Sequence, residues 1–225
     1  MTTAPRHDLY AHIHKALRHA LGDTLLRLGR ADVNDPDELG AALLQLDRLL
    51  TLLNSHVMHE NEFIHPALES RQRGSSEAIA VEHDDHLLAL AALRDEAAAL
   101  RARPSAAHAH QLYRRFAAFV AEQFQHMEVE ESRHNERLWA HYSDAELEAL
   151  HGRLVAHVTP QTMTEVLRWM LPALSPQERA LVIAGLPPQA QAPVLGSARA
   201  LLDDHAWTKL CRALGQAPVP GLMAA

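Results

Sequence analysis

The stretch "HMEVEESRHNE", His126 to Glu136, decides how this chain is read. It packs two histidines and four glutamates behind an apolar run, "LYRRFAAFVAEQF", over residues 112–124. A solvated, acidic helix end accounts for that composition. The spacing admits a second reading, as metal ligands on a helix. His126 with Glu130 gives H-x-x-x-E, and Glu131 with His134 gives E-x-x-H. The two spacings belong to different kinds of di-metal helical bundle.

Working outward, the 225-residue chain is rich in Leu and Ala and poor in Gly, a composition that favours helices. Its formal charge of −7, without any run of Lys and Arg, argues against nucleic-acid binding. The single cysteine, Cys211, excludes an internal disulfide framework and a C-x-x-C motif. The opening "MTTAPRHDLYAHIH" lacks an apolar leader, and no segment approaches the roughly 18 apolar residues of a membrane span. A cytoplasmic protein with no membrane partner is the expectation. Histidine is the anomaly: 17 are present, 14 of them before residue 143.

Hydrophobic periodicity predicts four long helices. The first, over residues 7–29, carries Ile13, Leu17, Leu21, Leu25 and Leu28. The second starts at Pro36, carries Leu39, Leu43, Leu46, Leu49, Leu53 and Phe63, and is expected to stop or kink near Pro66. "RQRGSS" turns the chain into a third helix with Ile79, Leu87, Leu90, Leu93, Ala97 and Leu100, which "RARPS" ends. The fourth carries Leu112, Phe116 and Phe119 through the opening stretch toward Trp139. Short connections make an antiparallel up-down-up-down four-helix bundle over residues 7–142 the simplest all-α packing. Residues 143–215 read as a small helical extension of unknown role. Two S-x-x-E capping boxes open helices there, at Ser143 and Ser175, and Trp169 and Trp207 read as packing residues. Residues 216–225 read as a flexible tail. No internal repeat is evident.

Tracing each apolar stripe shows where polar residues interrupt it. The second helix continues Leu46, Leu49, Leu53 into His56 and Glu60; the fourth continues Phe116, Phe119, Gln123 into His126 and Glu130. The third carries His83 and His86 beside Ile79 and Leu90, and the first carries His14 beside Leu17. Residues at i and i+4 are offset by about 40° around a helix and about 6 Å along it, so one His and one Glu reach the same small site. Counted from the turns, all four histidine positions fall at one level of a bundle, within about 6 Å. A buried carboxylate needs a strong partner, and two divalent or trivalent ions with neutral imidazoles supply one. Any one of these histidines alone reads as a core or boundary residue; the set of His14, His56, Glu60, His83, His126 and Glu130 reads as a metal site. His86, at i+3 from His83, and His59, beside the site, are additional or outer-layer candidates. His7, His12, His19, His108, His110 and His141 read as surface residues.

The E-x-x-H reading, as in ferritin-like bundles, needs a glutamate from each remaining helix. Glu62-x-x-His65 and Glu131-x-x-His134 match, but the first helix has no glutamate and His65 directly precedes Pro66. The ordered set "IHKALR" around His14, "HVMHENEFIHPAL" from His56, "EHDDH" from Glu82 and "HMEVEE" from His126 resembles the hemerythrin-like family, in its group of HHE cation-binding domains, over residues 7–140. The resemblance implies a four-helix bundle holding two iron ions in an oxo- or hydroxo-bridged non-haem centre. It makes Glu60 and Glu130 the bridging carboxylates and His14, His56, His83 and His126 terminal ligands. Such His/Glu sites also accept Mn, Zn or Co.

The chain departs from the oxygen-carrying hemerythrins, which use H-x-x-x-H on the third helix and H-x-x-x-x-D on the fourth. Here the third helix has His83-x-x-His86, leaving one iron with an open position, and Glu131 stands at the carriers' bridging position one residue past Glu130. The implied function is binding of O2, or sensing of oxygen, iron or nitric oxide. The alternative is a stress-response di-iron enzyme that turns over peroxide or nitric oxide, or donates iron for iron–sulfur cluster repair. A third reading is a metal-free helical interaction protein with buried histidines. The partner in the first two cases is O2, another small diatomic or peroxide; oligomeric state is left open.

Overall fold

The computed structural model describes residues 6–217, and every regular element among them is helical. Helix α1 spans Ala11–Arg30, α2 Pro36–His59, α3 His65–Arg71, α4 Glu77–Ala102, α5 Ala106–Val129 and α6 Asn135–His141. Five shorter helices complete the chain: α7 Asp144–His157, α8 Pro160–Ala173, α9 Pro176–Ala184, α10 Pro188–Leu201 and α11 Asp204–Ala213. None is long and apolar enough to cross a membrane. The expected tail is described only as far as residue 217, with residues 218–225 outside the described part.

Local chemistry sets the starts. Asp8 accepts hydrogen bonds from the Tyr10 and Ala11 amides, so α1 begins four residues later than its periodicity suggests. Asp35 caps α2 by accepting from the Asp37 and Glu38 amides, with Pro36 in the first turn, where its missing N–H costs nothing. Both S-x-x-E boxes form with reciprocal bonds, at Ser143–Glu146 and Ser175–Glu178.

The stripes read from the sequence are the buried ones. Leu17 and Leu21 of α1, Leu43, Leu46, Leu49 and Leu53 of α2, Leu90 and Leu93 of α4, and Leu112, Phe116 and Phe119 of α5 form one core. Helix α1 packs on α2 and α5, and α4 packs on α2 and α5, which closes a ring of four helices. Gly29 permits a close approach: a Cβ there would stand 2.9 Å from the Tyr113 ring.

The structure departs from the expected helix ends at two places. The second helix neither stops nor simply bends at Pro66. It passes through one π-helical turn, Glu60–Ile64, and continues as α3, with Pro66 in the first turn of α3. The fourth helix does the same through Glu130–His134 into α6, where no proline is present. Proline is therefore not the cause. The common feature is a buried glutamate as the first residue of each widened turn, and π-turns concentrate at such functional positions. The extra residue rotates the downstream helix, so Ile64 is buried where the stripe extrapolates to Phe63.

No repeat was expected, yet the two segments correspond element by element. α2, its π-turn and α3 have 24, 5 and 7 residues, and α5, its π-turn and α6 have 24, 5 and 7. His56, Glu60 and Leu68 stand opposite His126, Glu130 and Leu138. Sequence identity outside these positions is too low to reveal the match.

The C-terminal helices are not a detached appendage. α8 lies along α1 and α2 and gives Trp169, Met170 and Leu174 to the main core. Leu171, Ile183, Ala198, Trp207, Leu210 and Cys211 form a second core that binds α8 to α9, α10 and α11. A third cluster, around Tyr10, Ile64, Leu68, Leu138, Leu147 and Leu150, ties α7 to the ends of the long helices.

Candidate metal centre

Helices α1 and α4, and the ends of α2 and α5 with their π-turns, bring His14, His56, Glu60, His83, His126 and Glu130 together in the interior. Two four-residue sets place their ligand atoms within 4.8 Å of one another: His14, His56, Glu60 and Glu130, and His83, His126, Glu60 and Glu130. Both glutamates belong to both sets. His56 Nε2 lies 3.2 Å from Glu60 Oε1, and His126 Nε2 lies 3.4 Å from Glu130 Oε1. His14 Nε2 lies 3.8 Å from Glu60 and 3.5 Å from Glu130; His83 Nε2 lies 3.5 Å and 3.6 Å from the same pair.

The opposite edge of three rings is already engaged. His14 Nδ1 pairs with Glu131 Oε1 at 2.9 Å, His83 Nδ1 with Asn61 Oδ1 at 2.7 Å, and His126 Nδ1 with Glu82 Oε2 at 2.8 Å. A ring that donates Nδ1–H to an oxygen turns its Nε2 lone pair inward, the tautomer that ligates metal. His83 Nε2 and His126 Nε2 stand 3.1 Å apart, too close for both to carry protons without repulsion.

Among the described residues, both oxygens of Glu60, both of Glu130 and His14 Nε2 are buried without a hydrogen-bond partner. Native interiors rarely leave one such atom unsatisfied, and here five converge. Two buried carboxylates cost several kcal/mol each unless compensated. Burial and the neighbouring Glu130 push Glu60 up, yet His56, His14 and His83 outweigh them and hold it below the usual carboxylate range. Burial pushes Glu130 up too, but the imidazoles of His126 and His83 facing it hold it well below that range. Both are therefore anionic.

The metal-free rings divide accordingly. Burial lowers His14, but its bond to Glu131 and the nearby carboxylates of Glu60 and Glu130 outweigh that and raise it to about 9. His126 is raised to about 9 in the same way, burial being outweighed by Glu130 and Glu82. Burial lowers His56 to about 4, despite Glu60. Two protonated imidazoles thus balance two carboxylates. The donor set, six N and O ligands with net charge −2 once all rings are neutral, fits a pair of divalent or trivalent cations.

The remaining candidates fall outside these sets. Glu131 is half-buried and spends its oxygens on His14 and on Arg18, so Glu130 alone points both oxygens at the centre. His86 is buried with its ring 4.6 Å from the His126 ring and joins neither set. Its Nδ1 has no partner, and burial lowers it to about 4. His59 is half-buried and meets Ser55 at 3.5 Å. His19, His108, His110 and His141 are exposed as expected, but His7 and His12 are half-buried, His7 with its ring 5.5 Å from that of His151 on α7.

Five positions were missed, Glu82 against His126 among them. His65, Glu130 and His134 form a third buried group with ligand atoms within 4.8 Å, and His65 stacks on His83 with ring centroids 4.8 Å apart. The proline beside His65 suggested a loose helix end; the π-turn instead carries the helix on and turns His65 inward. Tyr10 is buried, 5.1 Å from the His14 ring, with its hydroxyl 3.2 Å from His134 Nδ1. Asn61 was readable in principle: it comes directly after Glu60, as Glu131 does after Glu130.

Beside the centre lies a cavity of about 550 Å³ between α1, α2 and the helices α7, α8 and α9. His56 and Glu60 form part of its wall. The His56 side chain is 13 % exposed, whereas His14, His83 and Glu130 are 0 %. As a sealed void, at about 24 cal/mol per Å³, it would cost on the order of 13 kcal/mol, which is comparable to a domain's whole stability. It is not sealed, because Val155 and Leu181 on its wall are 38 % and 69 % exposed.

Compared with family models, with curated proteins and with solved structures, the chain matches none.

Proposed function

We propose that this protein is a hemerythrin-like di-metal protein: an antiparallel four-helix bundle that holds two iron ions and binds O2, or senses oxygen, iron or nitric oxide, through them. One observation carries the reading. Four unpartnered oxygens of Glu60 and Glu130 lie at the centre of four imidazole Nε2 atoms drawn from four different helices. A metal-free interaction protein would bury two glutamates whose four oxygens lack hydrogen-bond partners, at a cost that protonated imidazoles offset only in part. His14 and His56 would hold one ion, His83 and His126 the other, and Glu60 and Glu130 would bridge them.

Held by these six residues, iron would supply redox chemistry toward a small ligand such as O2. The chain's own residues do the rest. Glu131, Asn61 and Glu82 fix three rings by their Nδ1 edges. The Leu and Phe core excludes water above the site, and Tyr10, with a phenol pushed further up by burial and by Glu130, keeps its proton toward His134.

Metal analysis of untagged protein, purified without chelator, tests the reading. The expected result is two iron per chain in the wild type and none in the Glu60→Gln/Glu130→Gln variant, with circular dichroism showing that the variant folds. Unchanged metal content in that variant would overturn the assignment. An absorption band from a bridged ferric pair would separate iron from manganese, zinc or cobalt. Mixing the reduced protein with O2 in a stopped-flow spectrometer separates a stable adduct from turnover.

A further inference from the structure

We propose that the cavity between α1, α2 and α7–α9 is a binding site for an apolar, uncharged organic molecule of medium alkyl or fused-ring aromatic size, lying with one end against His56 and Glu60. Ligand pockets commonly measure roughly 300–1,000 Å³, are mostly apolar and carry a few placed polar groups. This one, at about 550 Å³, is walled by Ile13, Leu154, Met163, Val166, Leu167 and Val182. Its polar groups gather on the α1, α2 and α7 side, where His7, His12, His59 and His151 line the wall. The His7 and His151 rings stand 5.5 Å apart on that wall.

An uncharged ligand fits better than an ionic one. Of the carboxylates on its wall, Asp8 is committed to the amides of Tyr10 and Ala11, Glu60 faces the imidazoles of the centre, and Glu148 is exposed to solvent, so these three leave the chamber's interior apolar. A small diatomic needs no chamber of this volume. The asymmetry of the centre points the same way: His56 is the least buried ring of the four, and it lines this cavity. The bound molecule's approach to a metal rests on the di-metal reading; its binding in the cavity does not.

Titrating full-length protein with the neutral fluorophore N-phenylnaphthylamine, and displacing it with dodecanol, tests the site. Saturable one-to-one binding is expected, with and without iron. Gly152→Trp and Val166→Phe should each weaken it by at least about tenfold while leaving helix content unchanged. A Cβ at Gly152 meets nothing within 4 Å, so bulk can enter there without displacing a neighbour. Absence of saturable binding, wild-type affinity in both filled variants, or a wild-type dimer that Gly152→Trp dissociates would overturn the proposal. A cobalt-loaded chain should change its visible spectrum when dodecanol binds. A spectrum that does not move would overturn the placement against His56, while probe binding in the metal-free protein would still stand.

Discussion

The α1–α2 half of the centre and the α4–α5 half are built to one plan and differ in what surrounds them. Each half gives one histidine from the lone helix, one histidine and one glutamate from the helix with the π-turn, and a residue after that glutamate that reaches across to the other half's ring. That last residue is Asn61 for His83 and Glu131 for His14. Glu82 stands immediately before His83 and holds His126; Ile13 stands immediately before His14 and lines the cavity instead. His86 in α4 has Leu17 as its counterpart in α1. The α4–α5 half is thus enclosed by polar partners, and the α1–α2 half opens onto an apolar chamber.

The comparison breaks most completely at the shared carboxylates. Glu130→Gln or Glu60→Gln alone should remove both ions rather than one, because each glutamate belongs to both sets. Metal content per chain reads this directly, and retention of one ion would show that the halves are independent.

The next largest effect is on pH. His14 and His126, raised to about 9 in the metal-free chain, must lose their protons before they ligate. Metal affinity should climb by up to about 100-fold per pH unit as pH rises toward 9, then level off. Isothermal titration in buffers of differing ionisation enthalpy counts the protons released. Stability of the metal-free fold runs otherwise. The raised pair contributes stability present below pH 6.5 and lost as pH rises through 9. His56, His65 and His86, lowered to about 4, contribute stability present above 6.5 and lost as pH falls toward 4. Denaturant titrations across that range should peak between the two limits.

Smaller effects sharpen the asymmetry. Glu131→Ala and Asn61→Ala should each weaken one ion by about 10–100-fold and spare the other, read by competition with a chelator. Glu131→Asn, which makes the two halves alike, should cost less than about tenfold, since an amide oxygen still accepts from His14. Replacing His86 with Ala should leave the metal count unchanged, and a missing equivalent would make it a ligand.

The sequence was most legible where one helix could be judged alone. Both capping boxes, the start at Pro36 and the stripes of α2 and α5 depend on contacts within a few residues, so spacing was enough. The same holds for the H-x-x-x-E pairs, which need one turn of helix and an inward face. Legibility failed where phase changed: a single inserted residue at each π-turn moved burial from Phe63 to Ile64 and brought in His65 and His134.

By itself, then, the sequence determined that the chain is helical, which faces are apolar, and which histidines and glutamates interrupt them. Helical period is a local property, and a buried charge shows as a break in it. Only the tertiary structure decided that Glu130 rather than Glu131 faces the centre, that Asn61, Glu82 and Tyr10 support it, and that α7–α9 enclose a chamber against His56. Those outcomes depend on atoms far apart in sequence, and no spacing within one helix encodes which neighbour another helix will present.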